Sequence, residues 1–212
     1  MTELSERAGV PIPTIRYYIR EGLLPPGNLT SPNQATYGEA HVHRLTLIRA
    51  MVEVGEMPIA AVARLFQHLE DKNADEYTTL GLTQYSLVRT AARESTLDEP
   101  GAAEVQELVD RLGWRVNDHH PARAMLASAV RTLRRLGQED VLDLLERYAA
   151  SAHDLAEAEV GVVLERDGLD NRAEAVVTVG VLGDAMLAAL RRLAAEDVMT
   201  RALETAARDA NG

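Results

Sequence analysis

Apolar positions recur at helical spacing through almost the whole chain. From Glu3 to Ala8 a short segment places Leu4 and Ala8 on one side, and Gly9 makes a turn after it. Ile15, Ile19 and Leu23 stand at i, i+4 and i+8, which predicts a second helix from about Ile12 to Gly22. Pro13 falls in its first turn, where a missing N–H costs nothing, and Gly22 with Pro25-Pro26 stops it. The periodicity vanishes between Pro25 and Thr36, a stretch of Pro, Gly, Asn, Ser and Thr that reads as a loop or short hairpin. It returns from Gly38 to Val54, with Val42, Leu45, Ile48, Met51 and Val52 on one face and Gly55 at the end. Pro58 opens a fourth helix whose Ile59, Val62, Ala63 and Phe66 point inward.

From Asp71 to Tyr85 the pattern weakens, with Asp71-Lys72-Asn73 and Gly81 as breakers, and a helix is expected over Tyr85 to Arg93. Asp98-Glu99-Pro100-Gly101 marks a boundary. Beyond it the periodicity predicts further helices. One spans Ala102 to Leu112. The next opens at Pro121, with Met125, Leu126, Ala129, Leu133 and Leu136 on its face. A long one starts at Gln138, with Leu142, Leu145, Ala149, Ala152 and Leu155 in a stripe, and Asp167-Gly168 interrupts it. The last runs from Ala173 to Leu203, where the β-branched stretch Val176 to Val181 sits inside a pattern long enough to favour helix. The expected fold is mainly α. A helix-turn-helix head, with a small β-hairpin, occupies residues 1–70. A connecting segment covers 71–98, and an all-helical domain covers 99–212.

The chemistry concentrates in the second helix. Arg16, Tyr17 and Arg20 lie off its apolar stripe, and a short helix presenting guanidinium and phenol groups before a polar loop suits a DNA backbone and groove edge. Around it stand, in this order and spacing, Ala8-Gly9-Val10, Thr14-Ile15-Arg16-Tyr17-Tyr18, Arg20-Glu21-Gly22-Leu23-Leu24-Pro25-Pro26, Tyr37, Val42, Arg44-Leu45, Ile48-Arg49 and Gly55. Over the first third of the chain this sequence resembles the mercury-resistance regulator (MerR) family of bacterial transcription factors.

The resemblance implies a winged helix-turn-helix head, with the loop after Pro25-Pro26 as the wing. It implies a homodimer on an inverted repeat in double-stranded promoter DNA. Distorting that DNA would bring separated promoter elements into register for RNA polymerase. A small-molecule inducer in the C-terminal domain would set the balance between repressing and activating forms. The DNA-contacting residues by this reading are Thr14, Arg16, Tyr17, Tyr18, Arg20, Asn33, Gln34 and Tyr37, with packing as the competing role for Tyr18. The wing departs from the family: where many members carry an arginine before the closing tyrosine, this loop reads Asn33-Gln34-Ala35-Thr36-Tyr37. Neutral amides donate hydrogen bonds but release no counterions.

Charge sharpens the picture. The net charge of −11 disfavours a DNA binder taken whole, yet residues 1–66 hold six arginines and six glutamates, so the acidic excess lies entirely in the remainder. An acidic tail repels DNA and leaves the neutral head as the contact face. Cysteine is absent, which removes disulfides and thiolate metal sites, including the thiolate metal sensors of the resembled family. His119-His120 are adjacent and lack further ligands at suitable spacing, so neither a metal nor any other cofactor is expected. No catalytic constellation is visible, so the chain is not expected to be an enzyme. Trp114 and Tyr148, near helix ends, are the candidates for lining an inducer pocket, with core packing the commoner fate of such residues. Charged residues from Glu3 onward do not read as a signal peptide, and Glu174 and Asp184 interrupt the longest apolar run, so no membrane span is expected and the location is read as cytoplasmic. The competing reading is an architectural DNA-binding protein whose helical tail docks another protein and takes no small molecule.

Overall fold

The computed structural model describes residues 1–31, 34–70, 75–88 and 101–209. Within them the chain is helical apart from one hairpin. In order it forms α1 (Thr2–Ala8), α2 (Ile12–Arg20), β1 (Asn28–Ser31), β2 (Gln34–Thr36), α3 (Glu39–Arg49), a π-helical turn (Ala50–Val54), α4 (Ile59–Leu69), α5 (Glu76–Leu87), α6 (Ala102–Leu112), α7 (Pro121–Arg135), α8 (Glu139–Leu142), α9 (Leu145–Leu164), α10 (Leu169–Thr178), a second π-helical turn (Val179–Gly183) and α11 (Asp184–Asp209). Two compact units result: residues 1–63 with 178–212, and residues 64–177.

The first unit contains the head as far as residue 63. Gly9 takes φ +62, a left-handed conformation open to glycine, and turns α1 into α2, while Ser5 Oγ donates to Val10 O at 2.6 Å across that turn. Leu4, Val10, Ile15, Tyr18, Leu23, Leu24, Leu45, Ile48 and Met51 form the buried core. The Ile15 and Leu23 stripe therefore faces inward as expected. β1 and β2 pair antiparallel, Asn28 opposite Thr36 and Leu29 opposite Ala35, with a bulge before Ser31 opposite Gln34.

The third helix reaches Val54, but its last five residues widen into a π turn in which Gly55 N donates to Ala50 O at 3.0 Å. That turn packs against the second π turn at residues 179–183. The contact depends on Gly55: a Cβ there would stand 2.6 Å from Val181 Cγ1 and 2.8 Å from Met51 O. Because one of those atoms is backbone, Gly55→Ala is expected to destabilise this unit by about 1–3 kcal/mol, as overpacking does elsewhere. A urea titration should place its midpoint below that of wild type.

The second unit corrects several expectations. A helix was predicted over Tyr85 to Arg93; instead α5 runs from Glu76 to Leu87, and residues 89–93 lie outside the described residues. The Asp75 carboxylate starts α5, accepting from Thr78 N at 2.9 Å and from Thr78 Oγ1 at 3.0 Å. These bonds hold that carboxyl below its usual range. α5 buries Thr79 and Thr83 rather than large aliphatics, and Thr83 Oγ1 donates back to Thr79 O at 2.7 Å. That is why apolar periodicity did not reveal it.

On α7 the buried face is Arg123, Ala124, Ala127 and Val130, not the predicted Met125, Ala129 and Leu136, of which Met125 is 50% and Leu136 65% exposed. Small side chains let α6 and α7 approach, and Val105, Val109 and Ala127 form a small core with Trp114, Val116 and Leu126 against it. The long helix expected from Gln138 is split into α8 and α9, and α9 buries only Ala149 and Val163. Residues 176–181 are helical, as the surrounding pattern predicts. Arg172 joins α10 to the rest of this unit, reaching Glu76 Oε1 at 2.5 Å, Arg166 O at 2.9 Å and Leu164 O at 3.3 Å.

Candidate nucleic-acid interface

α2 is short, begins with Ile12-Pro13 and ends before Glu21, and it is strongly amphipathic. Burying Ile15 and Tyr18 forces Arg16 and Arg20 outward. Thr14 and Tyr17 are half-buried at the edge of that face. The Arg20 guanidinium lies 5.2 Å from the centroid of the Tyr17 ring, and its Nε is 3.5 Å from Glu21 Oε1. Tyr17 in turn leans on Tyr18 with centroids 5.9 Å apart. The three side chains thus brace one another, and Arg16 stands beside them without a hydrogen bond or ion pair among the described residues.

The remaining head arginines of α1 and α3 serve the fold. Arg7 pairs with Glu39. Arg44 Nε donates to Leu23 O at 2.5 Å. Arg49 binds both oxygens of Glu53 at 2.9 Å and reaches Ala8 O at 3.4 Å. The bidentate pair lowers the Glu53 carboxyl below its usual value through that hydrogen bond. On α2, Arg16 carries no such contact among the described residues and Arg20 only the exposed 3.5 Å pair with Glu21, so both can turn positive charge toward an outside partner.

Tyr18 is 6% exposed, so the structure places it in the core. Burial, then the nearby Glu53 carboxylate, pushes its phenol pKa up, and it stays protonated at neutral pH. Gln34 stands exposed at the start of β2, and its carbonyl accepts from Thr30 Oγ1 at 3.3 Å. Asn33 lies outside the described residues. Tyr37 closes the hairpin: its ring covers Gly27, where a Cβ would meet Tyr37 Cζ at 2.8 Å, and meets His41 edge-on at 5.1 Å. Leu29, on β1, is 77% exposed and was not singled out from the sequence; a lone apolar residue in a polar loop was the available signal.

In the second unit Trp114 stacks on His153 with centroids 5.8 Å apart and packs on the α6–α7 core, while Tyr148 is 44% exposed on α9. His120 caps α7, its Nδ1 accepting from Ala122 N at 3.1 Å, and meets the Tyr85 ring edge-on at 4.6 Å. Burial, helped by the Arg123 charge, lowers its pKa below the usual histidine value. Among the described residues no three His, Asp or Glu side chains come together as a metal site. A cavity of about 290 Å³ lies between α6 and α7, and Arg123 lines it. Sequence reasoning missed that arginine, although it shares a helical face with Ala127 and Val130, and a charged residue in an apolar stripe is itself a signal.

Comparison with known proteins bears on both units. A model of the MerR HTH family regulatory proteins matches residues 1–69. The chain is 34% identical over 76 residues to the HTH-type transcriptional regulator MerD of Serratia marcescens, covering 36% of this chain and 62% of that protein. It is 44% identical over 45 residues to a homologue of the HTH-type transcriptional regulator ZntR from Haemophilus influenzae, covering 21% of this chain and 33% of that one. The matched stretches therefore span less than two thirds of either relative. The crystal structure of a transcriptional-regulator candidate, SCO5550 from Streptomyces coelicolor A3(2), superposes with a TM-score of 0.68 at 31% identity, covering 94% of this chain and 95% of that chain.

Proposed function

We propose that this chain, whose residues 1–69 match the MerR HTH family, is a MerR-type transcriptional regulator that binds promoter DNA as a homodimer and is controlled by a small molecule held in its helical second unit. The observation that carries the DNA reading is the division of labour among the head arginines. Arg7, Arg44 and Arg49 are tied to the head's own acceptors, while Arg16 and Arg20 project from one face of α2, four residues apart, toward solvent. Two guanidinium groups at that spacing reach neighbouring phosphates of one strand.

In this reading Thr14, Tyr17, Asn33, Gln34 and Tyr37 add neutral hydrogen bonds or wing contacts, and Tyr18 holds Tyr17 in place from the core. The dimer reads an inverted repeat, and distortion of the DNA between the half-sites couples binding to RNA polymerase. The protein works in the cytoplasm, without a cofactor and without catalysis of its own. A ligand shifts the equilibrium only by as much as its affinity differs between the two forms.

Selection of random DNA fragments by the purified protein, followed by sequencing, tests this directly. A recovered inverted repeat whose half-sites lie on one face of the duplex is the expected result. Recovery of unrelated fragments would remove sequence-specific regulation. It would favour instead an architectural DNA anchor whose exposed α9 and α11 dock another protein.

A further inference from the structure

We infer that the cavity between α6 and α7 is a binding site for a small organic monoanion, an apolar body carrying one carboxylate, with Arg123 as the group that recognises the charge. As an effector site it rests on the reading of this chain as a ligand-controlled regulator; as a binding site it stands on its own geometry.

Four alanines, Ala102, Ala103, Ala124 and Ala127, line the cavity together with Val105, so its walls are methyl groups and its space is what larger side chains would have filled. Its volume of about 290 Å³ lies at the lower end of the range for small-molecule sites. An apolar void alone would take any small hydrophobe. This one has a guanidinium in its lining that is only 9% exposed.

A buried cation needs an opposing charge, and Arg123 has a poor one. Its Nη1 donates to Gln106 Oε1 at 2.5 Å and its Nη2 to Val116 O at 3.2 Å, both neutral acceptors. Its Nε has no hydrogen-bond partner among the described residues. The anion nearest to hand is Asp118, at 3.5 Å, whose side chain is 81% exposed and therefore well solvated. A buried guanidinium with an unused Nε–H and only a solvated counter-ion, set in a lining otherwise mostly of methyl groups, selects an anion with an apolar body. The planar guanidinium fork matches a carboxylate. A phosphate dianion would bring more charge than one arginine offsets, and apolar walls would strip its hydration. Asp118, which also lines the cavity, acts as a weak internal competitor that an incoming carboxylate displaces.

Trp114, the chain's one tryptophan, packs against the cluster of Val105, Val109 and Ala127, two of which line the cavity, and so reports on occupancy. The full chain, without DNA, is titrated with hexanoate and with hexanamide while Trp114 emission is followed, and each heat of binding is measured calorimetrically. Hexanoate is expected to saturate, and hexanamide to bind about tenfold more weakly for want of the charge-assisted bond. Ala102→Leu, which fills the cavity and keeps Arg123, abolishes both. Arg123→Gln removes the preference for the acid, and Asp118→Asn tightens hexanoate. No saturation by hexanoate, or saturation that survives Ala102→Leu with the acid and amide bound equally, overturns the proposal. Should Arg123→Gln fail to fold, the Ala102→Leu and Asp118→Asn variants still decide it. Operator binding measured without hexanoate does not involve the cavity, so failure of the cavity and failure of the DNA reading are separable.

Discussion

Arg16→Ala is expected to weaken operator binding by about a hundredfold. A hydrogen bond to a charged group contributes about 1.5–3 kcal/mol, roughly tenfold or more per half-site, and a homodimer uses it twice. The loss should be the same on operator and on unrelated DNA, because a phosphate contact carries no sequence information. The log–log salt slope should fall by about 0.9 for each half-site. Arg16 is exposed and bonds to no other described residue, so its removal leaves the fold intact and the effect can be read as lost contact. Tyr17 separates the charge term from the neighbouring ones. Tyr17→Phe keeps the ring under Arg20, costs about 1 kcal/mol and leaves the slope unchanged, whereas Tyr17→Ala also releases Arg20. Gln34→Arg adds a charge at the exposed start of β2 and should tighten binding while steepening the slope. Fluorescence anisotropy across a salt series measures all four. Wild-type affinity and slope in Arg16→Ala would show that α2 is not the element meeting DNA.

The head was legible because local and tertiary signals agree there. Ile15 and Leu23 predict an inward stripe and are fully buried; Gly9 predicts a turn and has the positive φ that turn needs. The polar side of α2 follows by elimination, and that side carries Arg16 and Arg20 to the surface. Which arginines bind the protein's own acceptors was not legible. Arg44 reaching Leu23 and Arg49 reaching Ala8 are contacts between residues 21 and 41 positions apart, and no spacing rule reports them. The same limit explains Tyr18, whose place beside Tyr17 in the sequence does not say which ring turns inward.

The helical remainder was read at the level of elements and misread at the level of faces. Periodicity located α6 and α7, but it ranks positions by hydrophobic bulk, and the α6–α7 contact is built from alanine and valine. Close approach favours the small face, so Met125 and Leu136 were left outside. α5 escaped because threonine, with an oxygen on its Cβ, is read as polar although Thr83 is fully buried and bonded within the helix. The π turn at residues 50–54 adds a residue to its helix without any change in composition; only Gly55, with Val181 against it, marks the place.

Reversing the polarity of one helix should dissolve the homodimer proposed above. α11 buries none of its residues within the chain, yet it carries Met186, Leu187, Leu190, Leu193, Val198, Met199 and Leu203, each 48–65% exposed. The helical run from Leu169 to Asp209 has the length and hydropathy of a bilayer-crossing segment, with 33% of its most apolar window buried. Arg191, Arg192, Glu196 and Asp197 fall within α11, which suits a helix lying against protein better than one surrounded by lipid. A 26-residue helix is about 39 Å long, and laid against its copy it offers a continuous apolar seam. Val176, Gly180, Gly183, Leu187 and Leu190 follow one another at helical spacing, but Val176 is spent within the chain while Leu187 and Leu190 remain outside. Leu190→Glu with Leu193→Glu therefore places two like charges in the seam and two more from the second copy. In the monomer these positions are exposed, so the substitutions should alter its unfolding free energy by no more than about 0.5 kcal/mol. In the dimer each buries an unpaired carboxylate, and sedimentation at micromolar concentration should show a monomer where wild type is dimeric. Operator affinity should fall by roughly a hundredfold or more, since each head then binds its half-site alone. A double variant that sediments as a dimer would place the seam on another element, with the exposed face of α9 next to be tested by the same means.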